Sequence, residues 1–197
     1  MILQIIGQVC WALGIHPGFL TSATGPIMFG LDGMNQAAYA AGQPIPNIIG
    51  MAFSYSMTTA VLYPAFALAV LIFSKSNQLK TVGKISIAPA FFGISEPLMF
   101  GVPVVMNPFM AIPWIISPTV NVLLGWLACS SGLVARYAGV TVFNFPMGVT
   151  GILNGSFTIA ILEVVVCIID VLIFMPFVRI QDKKYIDAEK AAETEQN

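Results

Sequence analysis

Long apolar segments alternate with short polar ones along the whole chain. Residues 48–73 carry no charged side chain and, at about 1.5 Å per residue, are long enough to cross the ~30 Å hydrocarbon core of a bilayer. Residues 109–134 and 157–178 predict two further spans, and residues 1–15 form a shorter apolar segment. The pattern therefore predicts an all-α integral membrane protein.

Two of the apolar segments are interrupted by proline and glycine. Residues 85–107 contain several prolines, and each of them removes a helix hydrogen-bond donor. Because broken backbone at membrane depth is tolerated where protein or a wet cavity satisfies it, this segment predicts a re-entrant pair of half-helices that meet near Glu96. The glycine-rich residues 139–155 predict a second re-entrant segment that is extended or hairpin-like.

The polar segments are expected to be loops outside the membrane. Residues 32–47 have the composition of a turn-rich loop, and residues 74–84 carry three lysines. Because positive residues concentrate on the cytoplasmic side, the lysine segment is placed there. Two crossings separate it from the basic residues that begin at Arg179. The C-terminus is therefore also placed in the cytoplasm, with Arg136 alone outside.

Composition supports a membrane location and excludes other classes of function. The chain is 57% apolar and only 9% charged, whereas a soluble domain carries about a quarter charged residues. Its eight basic and nine acidic residues argue against a nucleic-acid partner. Because the three cysteines lack metal or redox spacing, no metal or cofactor is expected. We expect a membrane domain at residues 1–178 and a charged cytoplasmic tail at residues 179–197, either a solvated helix or a frayed linker.

Glu96 is the charged residue that most needs an explanation, because no other charge lies between positions 85 and 135. A lone carboxylate at membrane depth costs at least a few kcal/mol unless a partner or an aqueous cavity holds it. His16 occupies a similar place, since both residues precede a proline and closely follow a Gly-Ile pair. Paired broken segments point to a binding site near the midplane, so we expect His16 and Glu96 to converge, buried, on one polar ligand. Alternatively, they hydrogen-bond each other and lock two hairpins together.

Glu163 and Asp170 are two further acidic residues within an apolar span. They lie seven residues apart and therefore share one face of a helix. One interpretation is a proton or cation site. The simpler one is that both acids face the bundle interior and hydrogen-bond to Ser, Thr or Asn, because nothing basic lies near them in the sequence.

The order of several motifs resembles a known family. These motifs are Trp11 with Gly14-Ile15-His16, then residues 71–80, then Gly83-Lys84, and then residues 94–108, which read Ile-Ser-Glu-Pro-Leu-Met-Phe-Gly-Val-Pro-Val-Val-Met-Asn-Pro. Nearly end to end, the chain resembles the lactose/cellobiose branch of enzyme IIC, the membrane component of the sugar phosphotransferase system. Chains of that family are much longer, so the resemblance implies the C-terminal half alone, as a fragment, a split product or a remnant.

The resemblance implies a function and partners. Family members carry a β-linked disaccharide, such as cellobiose, lactose or chitobiose, across the bacterial inner membrane. A phosphocysteine on a cytoplasmic IIB protein phosphorylates the 6-hydroxyl of the sugar during uptake. The missing half, or a partner membrane chain, would provide the scaffold, and the complete fold would form a homodimer in the lipid bilayer.

Site residues follow from the same resemblance. Glu96 would hold the accepting hydroxyl as a general base, a role suited to a desolvated carboxylate with raised proton affinity, and His16 would hydrogen-bond the same sugar. Trp11 would stack on the sugar or simply pack. Asn107 would hydrogen-bond within the site or hold a hairpin. Phe143 and Asn144 would also bind the sugar, and Phe143 keeps an aromatic face where the family carries a tryptophan.

Two alternative functions remain open from the sequence. An ion-coupled sugar carrier would use Glu96, with Glu163 and Asp170 as further candidates. A truncated, non-transporting remnant would bind sugar without moving it.

Overall fold

The computed structural model describes residues 1–195, and every regular element in that range is helical. In chain order the elements are α1 Ile2–Ala12, α2 Gly18–Ala40, α3 Met51–Tyr55, a π-helical turn Ser56–Ala60, α4 Val61–Phe73, α5 Asn77–Phe91, α6 Glu96–Gly101, α7 Pro108–Ser130, α8 Val149–Leu153 and α9 Phe157–Glu195. Within the described residues, three stretches are long and apolar enough to cross a membrane, namely Met51–Phe73, Pro108–Ser130 and Phe157–Thr194. The predicted all-α membrane fold is confirmed.

The predicted break near Glu96 is also confirmed. Helix α5 ends at Phe91, and α6 begins at Glu96 after a turn in which Gly93 adopts a φ of 76°. That conformation lies in the left-handed region, which glycine enters without steric cost. The second broken segment is irregular from the end of α7 until the short α8. Both interruptions therefore lie where glycine and proline predicted them.

The polar segment at residues 32–47 was predicted as a loop, and that prediction is wrong for its first half, because α2 continues to Ala40. Asp32 and Asn35 are buried on the inner face of this helix. Asp32 accepts hydrogen bonds from the Ala52 N–H and the Thr141 hydroxyl, both at 2.8 Å. Burial raises the pKa of Asp32, and these bonds oppose the rise. Partners far away in the sequence thus fix the polar residues in a helix.

The lysine segment at residues 74–84 is likewise mostly helical, because α5 begins at Asn77. Ser76 caps α5 by accepting a hydrogen bond from the Leu79 N–H at 3.3 Å. Glu189 of α9 accepts from the next two free N–H groups of the first turn, those of Asn77 and Gln78. The first N–H groups of a helix have no partner within the helix, and here these side chains accept from them. The helix can therefore begin at Asn77, inside the segment whose composition predicted a loop.

As far as Glu195, the predicted charged tail continues α9 as one helix, which is the first of its two predicted forms, and residues 196–197 lie outside the described residues. Asp182 of the tail accepts from the Lys75 N–H at 2.7 Å, so tail and lysine segment lie at the same end of the bundle. Arg136 contacts the other end of the first span, where its guanidinium donates to the carbonyl of Pro46 at 2.7 Å. The boundary at residue 178 and the cytoplasmic side remain predictions.

Helix α4 forms the centre of the bundle and packs against α5 and α9. Phe66 of α4 stacks on Phe174 of α9 with ring centroids 4.5 Å apart, and Trp114 of α7 lies against both Tyr63 and Phe66. Lipid tails are as apolar as these side chains, so the bundle is stabilised by close packing more than by transfer out of water.

Helices α8 and α9 approach so closely that Gly151 has no room for a side chain. A Cβ at this position would overlap the main chain of Ala160. We expect Gly151→Ala to destabilise the fold by about 1–3 kcal/mol, because the obstacle is backbone and cannot rotate away. A lower midpoint of thermal unfolding in detergent would report the loss.

Gly30→Ala is the matched control. Nothing lies within 4 Å of a Cβ at Gly30, which is exposed in the interior of α2. This change should be neutral or stabilise by roughly 0.5–1 kcal/mol, since alanine favours the helix. Equal effects of the two substitutions would contradict the proposed close approach.

Candidate functional site

A cavity of about 550 Å³ opens between the α1–α2 region and the first span. Its aromatic lining consists of Trp11, Phe53, Tyr55, Tyr63 and Phe143, with His16 beside them. Its hydroxyl-bearing lining consists of Thr21, Thr24, Ser54, Thr58 and Thr59. Aromatic faces with hydroxyl groups around them suit a ligand that has both apolar faces and hydroxyl edges.

A π-helical turn provides much of the hydroxyl wall. The turn Ser56–Ala60 interrupts the first span and carries Thr58 and Thr59 into the cavity lining. Such turns insert an extra residue into a helix and are frequent at functional sites. The sequence pattern does not identify these residues, or Tyr55 and Tyr63, as part of a site, because residues 48–73 have the composition of an uninterrupted span. The available signal was a run of Ser, Tyr and Thr at positions 54–59 within an apolar segment.

Tyr55 joins three distant parts of the chain. Its hydroxyl accepts a hydrogen bond from the Asn144 N–H at 2.8 Å, and its ring meets that of Phe143 edge-on at 5.1 Å. A Cβ added at Gly93 would lie only 2.7 Å from the same hydroxyl oxygen. The turn before α6 and the loop after α7 therefore meet at the cavity wall.

His16 lies at the cavity beside Trp11, with ring centroids 4.7 Å apart in an edge arrangement. Its Nδ1 accepts a hydrogen bond from the Gly18 N–H at 3.0 Å. In the neutral ring the hydrogen is then on Nε2, which can donate to a ligand oxygen. The end of α1 is held to the segment after α6 because the Met106 N–H donates to the Ala12 carbonyl at 2.8 Å.

Glu96 is not among the described residues that line the cavity. Its nearest link to the cavity is the preceding residue, Ser95, whose hydroxyl lies beside that of the lining residue Tyr63. The predicted burial of Glu96 and His16 is wrong, because both side chains are exposed in this chain. His16 lies between α1 and α2, and Glu96 is the first residue of α6. Both side chains lie on the exposed side of the chain at these positions. No hydrogen bond joins the two among residues 1–195, so the alternative of two hairpins locked together is not formed.

The two predicted asparagines differ in their positions. Asn107 caps α7, since its side-chain oxygen accepts from the Phe109 and Met110 N–H groups at 3.1 and 3.3 Å. That contact matches the structural role considered for it. Asn144 adopts a φ of 61° next to Tyr55 and lies near the cavity through that contact. A sugar contact for either residue remains a prediction.

Glu163 is fully buried and accepts three hydrogen bonds. The donors are the Ser56 hydroxyl, the Thr150 hydroxyl at 2.7 Å and the Gly148 N–H. Burial raises the pKa of Tyr137 well above its ordinary value. The Tyr137 and Ser56 hydroxyls lie 2.8 Å apart, and because Ser56 donates its hydrogen to Glu163, Tyr137 is the donor in this pair. The network joins the π-helical turn to α8, the segment that follows the Phe143 loop.

Asp170 also faces the bundle interior, where it accepts a hydrogen bond from the Asn121 amide at 2.7 Å. Its other carboxyl oxygen has no hydrogen-bond partner in the described part of the chain. The contacts of Asp170 and Glu163 are those of the simpler interpretation, in which both acids bond to Ser, Thr or Asn inside the bundle.

Comparison with known proteins identifies the family to which this arrangement belongs. Residues 1–118 match the family described as "Phosphotransferase system, EIIC". The chain belongs to this EIIC family. The resemblance predicted from the sequence motifs is therefore confirmed.

Several EIIC relatives are similar over nearly the whole chain. An oligo-beta-mannoside-specific EIIC component of Bacillus subtilis (strain 168) is 36% identical, over 93% of this chain and 43% of that protein. A lactose-specific EIICB component of Lacticaseibacillus casei is 32% identical, over 93% of this chain and 33% of that protein. The crystal structure of ChbC, the IIC component from the N,N'-diacetylchitobiose-specific phosphotransferase system, superposes with a TM-score of 0.92 at 36% identity.

That structural match covers 96% of this chain and 45% of ChbC. The chain thus spans less than half the length of these EIIC relatives. Because the match covers nearly all of this chain, the overall helical arrangement described here is one that an EIIC protein adopts.

Substitution of Glu163 tests the hydrogen-bond network that joins the π-helical turn to α8 in this EIIC chain. Glu163→Leu removes every acceptor, whereas Glu163→Gln keeps one oxygen and the side-chain shape. We expect the free energy of unfolding of the glutamine variant to fall by about 1–3 kcal/mol, because the NH2 group of its amide would face one of the donors that now bond to the carboxylate. The leucine variant should lose more, because all of the donors would be left without an acceptor. The midpoint of thermal unfolding in detergent would rank the variants.

Val164→Leu is the control, since Val164 is the exposed neighbour of Glu163 on α9. It should leave the midpoint unchanged. A leucine variant at position 163 that is as stable as the parent would show that the network contributes nothing.

Proposed function

We propose that this chain forms the sugar-binding half of an EIIC permease. In this role it binds a disaccharide in the 550 Å³ cavity and presents its 6-hydroxyl for phosphorylation during uptake. The relatives are named for oligo-beta-mannosides, lactose, cellobiose and N,N'-diacetylchitobiose, and we place the ligand in that class.

The cavity is the observation that carries the proposal. Its volume lies within the about 300–1,000 Å³ usual for small-molecule sites. Pyranose rings have apolar faces that suit aromatic side chains and hydroxyl edges that suit threonine and serine. Trp11 and Phe143 provide aromatic faces, and the π-helical turn provides hydroxyl groups. We therefore assign Trp11, Phe143 and Asn144 to sugar binding, with Asn107 supporting the site from the start of α7.

His16 and Glu96 have separate roles in the proposed reaction. His16 uses its Nε2–H to hold a sugar oxygen while Gly18 fixes the ring through Nδ1. Glu96, which follows the Ser95 that lies beside Tyr63, holds the 6-hydroxyl. The role of Glu96 rests on position rather than on desolvation, because an exposed carboxylate is accessible both to the sugar and to a docking protein.

The proposed transfer balances as follows. The 6-oxygen attacks phosphorus of a phosphocysteine on a IIB protein, so an O–P bond forms as the S–P bond breaks. The hydroxyl proton passes to the Glu96 carboxylate, and the cysteine leaves as a thiolate.

The complete assembly requires more than this chain. We propose a second membrane half or partner chain as scaffold, a homodimer in the complete fold and a IIB protein at the cytoplasmic face. The location is the bacterial inner membrane, with the lysine segment and the C-terminus in the cytoplasm. In the Lacticaseibacillus casei relative, the name EIICB denotes the B component together with the C component.

Glu96→Gln tests the proposal most directly. Radiolabelled cellobiose, lactose and diacetylchitobiose would be offered to membrane vesicles containing the chain and its scaffold, with and without phosphorylated IIB. We expect the parent to accumulate phosphorylated sugar only with IIB. The glutamine variant should still bind sugar but transfer the phosphoryl group about 10²–10⁴-fold more slowly, because the general base is lost.

Asp187→Asn, an exposed carboxylate on the tail of α9, is the control and should leave transfer unchanged. Unchanged binding and phosphorylation in Glu96→Gln would refute the assigned site. Uptake of unmodified sugar that collapses with the proton gradient would favour an ion-coupled carrier. Binding without flux under every condition would favour a sugar-binding remnant.

A further inference from the structure

A second cavity, of about 380 Å³, lies at the end of the bundle where α4 stops and α9 leaves its apolar stretch. We name it the basic cleft. Its lining consists of Ile72, Phe73, Lys75, Arg179, Asp182, Lys183 and Ile186. It shares no lining residue with the sugar cavity, so it requires a separate explanation.

Three basic side chains and one acidic side chain line the basic cleft, so its net charge is positive. Asp182, its acidic residue, is buried and already accepts three hydrogen bonds, from the Lys75 N–H and from the N–H and hydroxyl of Ser76. The side chains of Lys75, Arg179 and Lys183 are exposed, and among the described residues their charged groups form no salt bridge with a carboxylate. Arg179 lies over the ring of Phe73 at 5.0 Å, which holds its guanidinium at the cleft.

An exposed apolar stripe on α9 leads to the basic cleft. Its members follow each other at intervals of three or four residues and are between 47% and 63% exposed: Ile161, Val165, Ile168 and Leu172. The same spacing continues through position 176 to Arg179 and Lys183, so the stripe and both cations share one helix face. Ile72, at the end of α4, is also 60% exposed beside the cleft. A face of this kind would meet acyl chains along its length and headgroups at its end.

We propose that the basic cleft binds the phosphate headgroup of an anionic phospholipid whose acyl chains lie along the α9 stripe. The Arg179 guanidinium pairs with two phosphate oxygens, and the ammonium groups of Lys75 and Lys183 complete the cationic site. Basic pockets between membrane helices are suited to such headgroups, and each nearby cation adds to the attraction. The cleft is lined by the end of α4 and by α9, so the bound lipid would contact both helices. It would add to the hydrogen bonds by which Asp182 already holds the lysine segment to α9.

Native mass spectrometry of the full chain in neutral detergent would test this proposal. Phosphatidylglycerol and phosphatidylcholine with the same acyl chains would be titrated separately, with glycerol phosphate as a competitor. The test variant is Lys75→Gln/Arg179→Gln/Lys183→Gln. The charge-matched control is Lys80→Gln/Lys84→Gln/Lys190→Gln, whose lysines are exposed and lie outside the cleft.

We expect the parent and the control to bind phosphatidylglycerol at least about tenfold more tightly than phosphatidylcholine, and the test variant to lose that preference. Should the test variant not fold, Lys75→Gln/Lys183→Gln keeps the contact between Arg179 and Phe73 and should lose most of the preference. Equal losses in the test and control variants, or no headgroup preference in the parent, would overturn the proposal. Full displacement of the lipid by glycerol phosphate at equal concentration would also overturn it, because the site would then be one for free phosphate.

Discussion

The buried Glu163 carboxylate is the interaction that joins the π-helical turn beside the cavity to α8. A buried carboxylate is costly unless its oxygens are satisfied, and here three donors from two separate segments satisfy them. One donor belongs to the π-helical turn, and two belong to α8 and the residue before it. The cost of burying the acid is therefore offset only when both segments are in place. This coupling explains why an acid in an apolar span is compatible with a stable fold.

The sequence predicted those features that depend on local backbone chemistry. Prolines and glycines located both broken segments because missing donors and left-handed turns are properties of single residues. Segment length and apolar content located the spans for similar reasons. The motif order around His16 and Glu96 identified the family. Three of the site residues that this resemblance implies, His16, Trp11 and Phe143, line one cavity.

Features that depend on distant partners could not be predicted. Asp32 belongs to a helix because Ala52 and Thr141 donate to it, and neither lies near it in the sequence. The early start of α5 requires acceptors on α9, more than a hundred residues away. The outward positions of Glu96 and His16 depend on the direction of two turns, which composition does not encode. The hydroxyl wall was missed because a π-helical turn has no strong signature.

The π-helical turn also has a geometric consequence for the first span. An α-helix advances about 100° per residue, so one extra residue changes the faces presented by the helix before and after the turn. After the turn, α4 presents its aromatic side chains to the bundle. Before it, Tyr55 faces the loop that carries Asn144. The extra residue of the π-helical turn thus lets one span pack against the bundle along one part of its length and line the cavity along another.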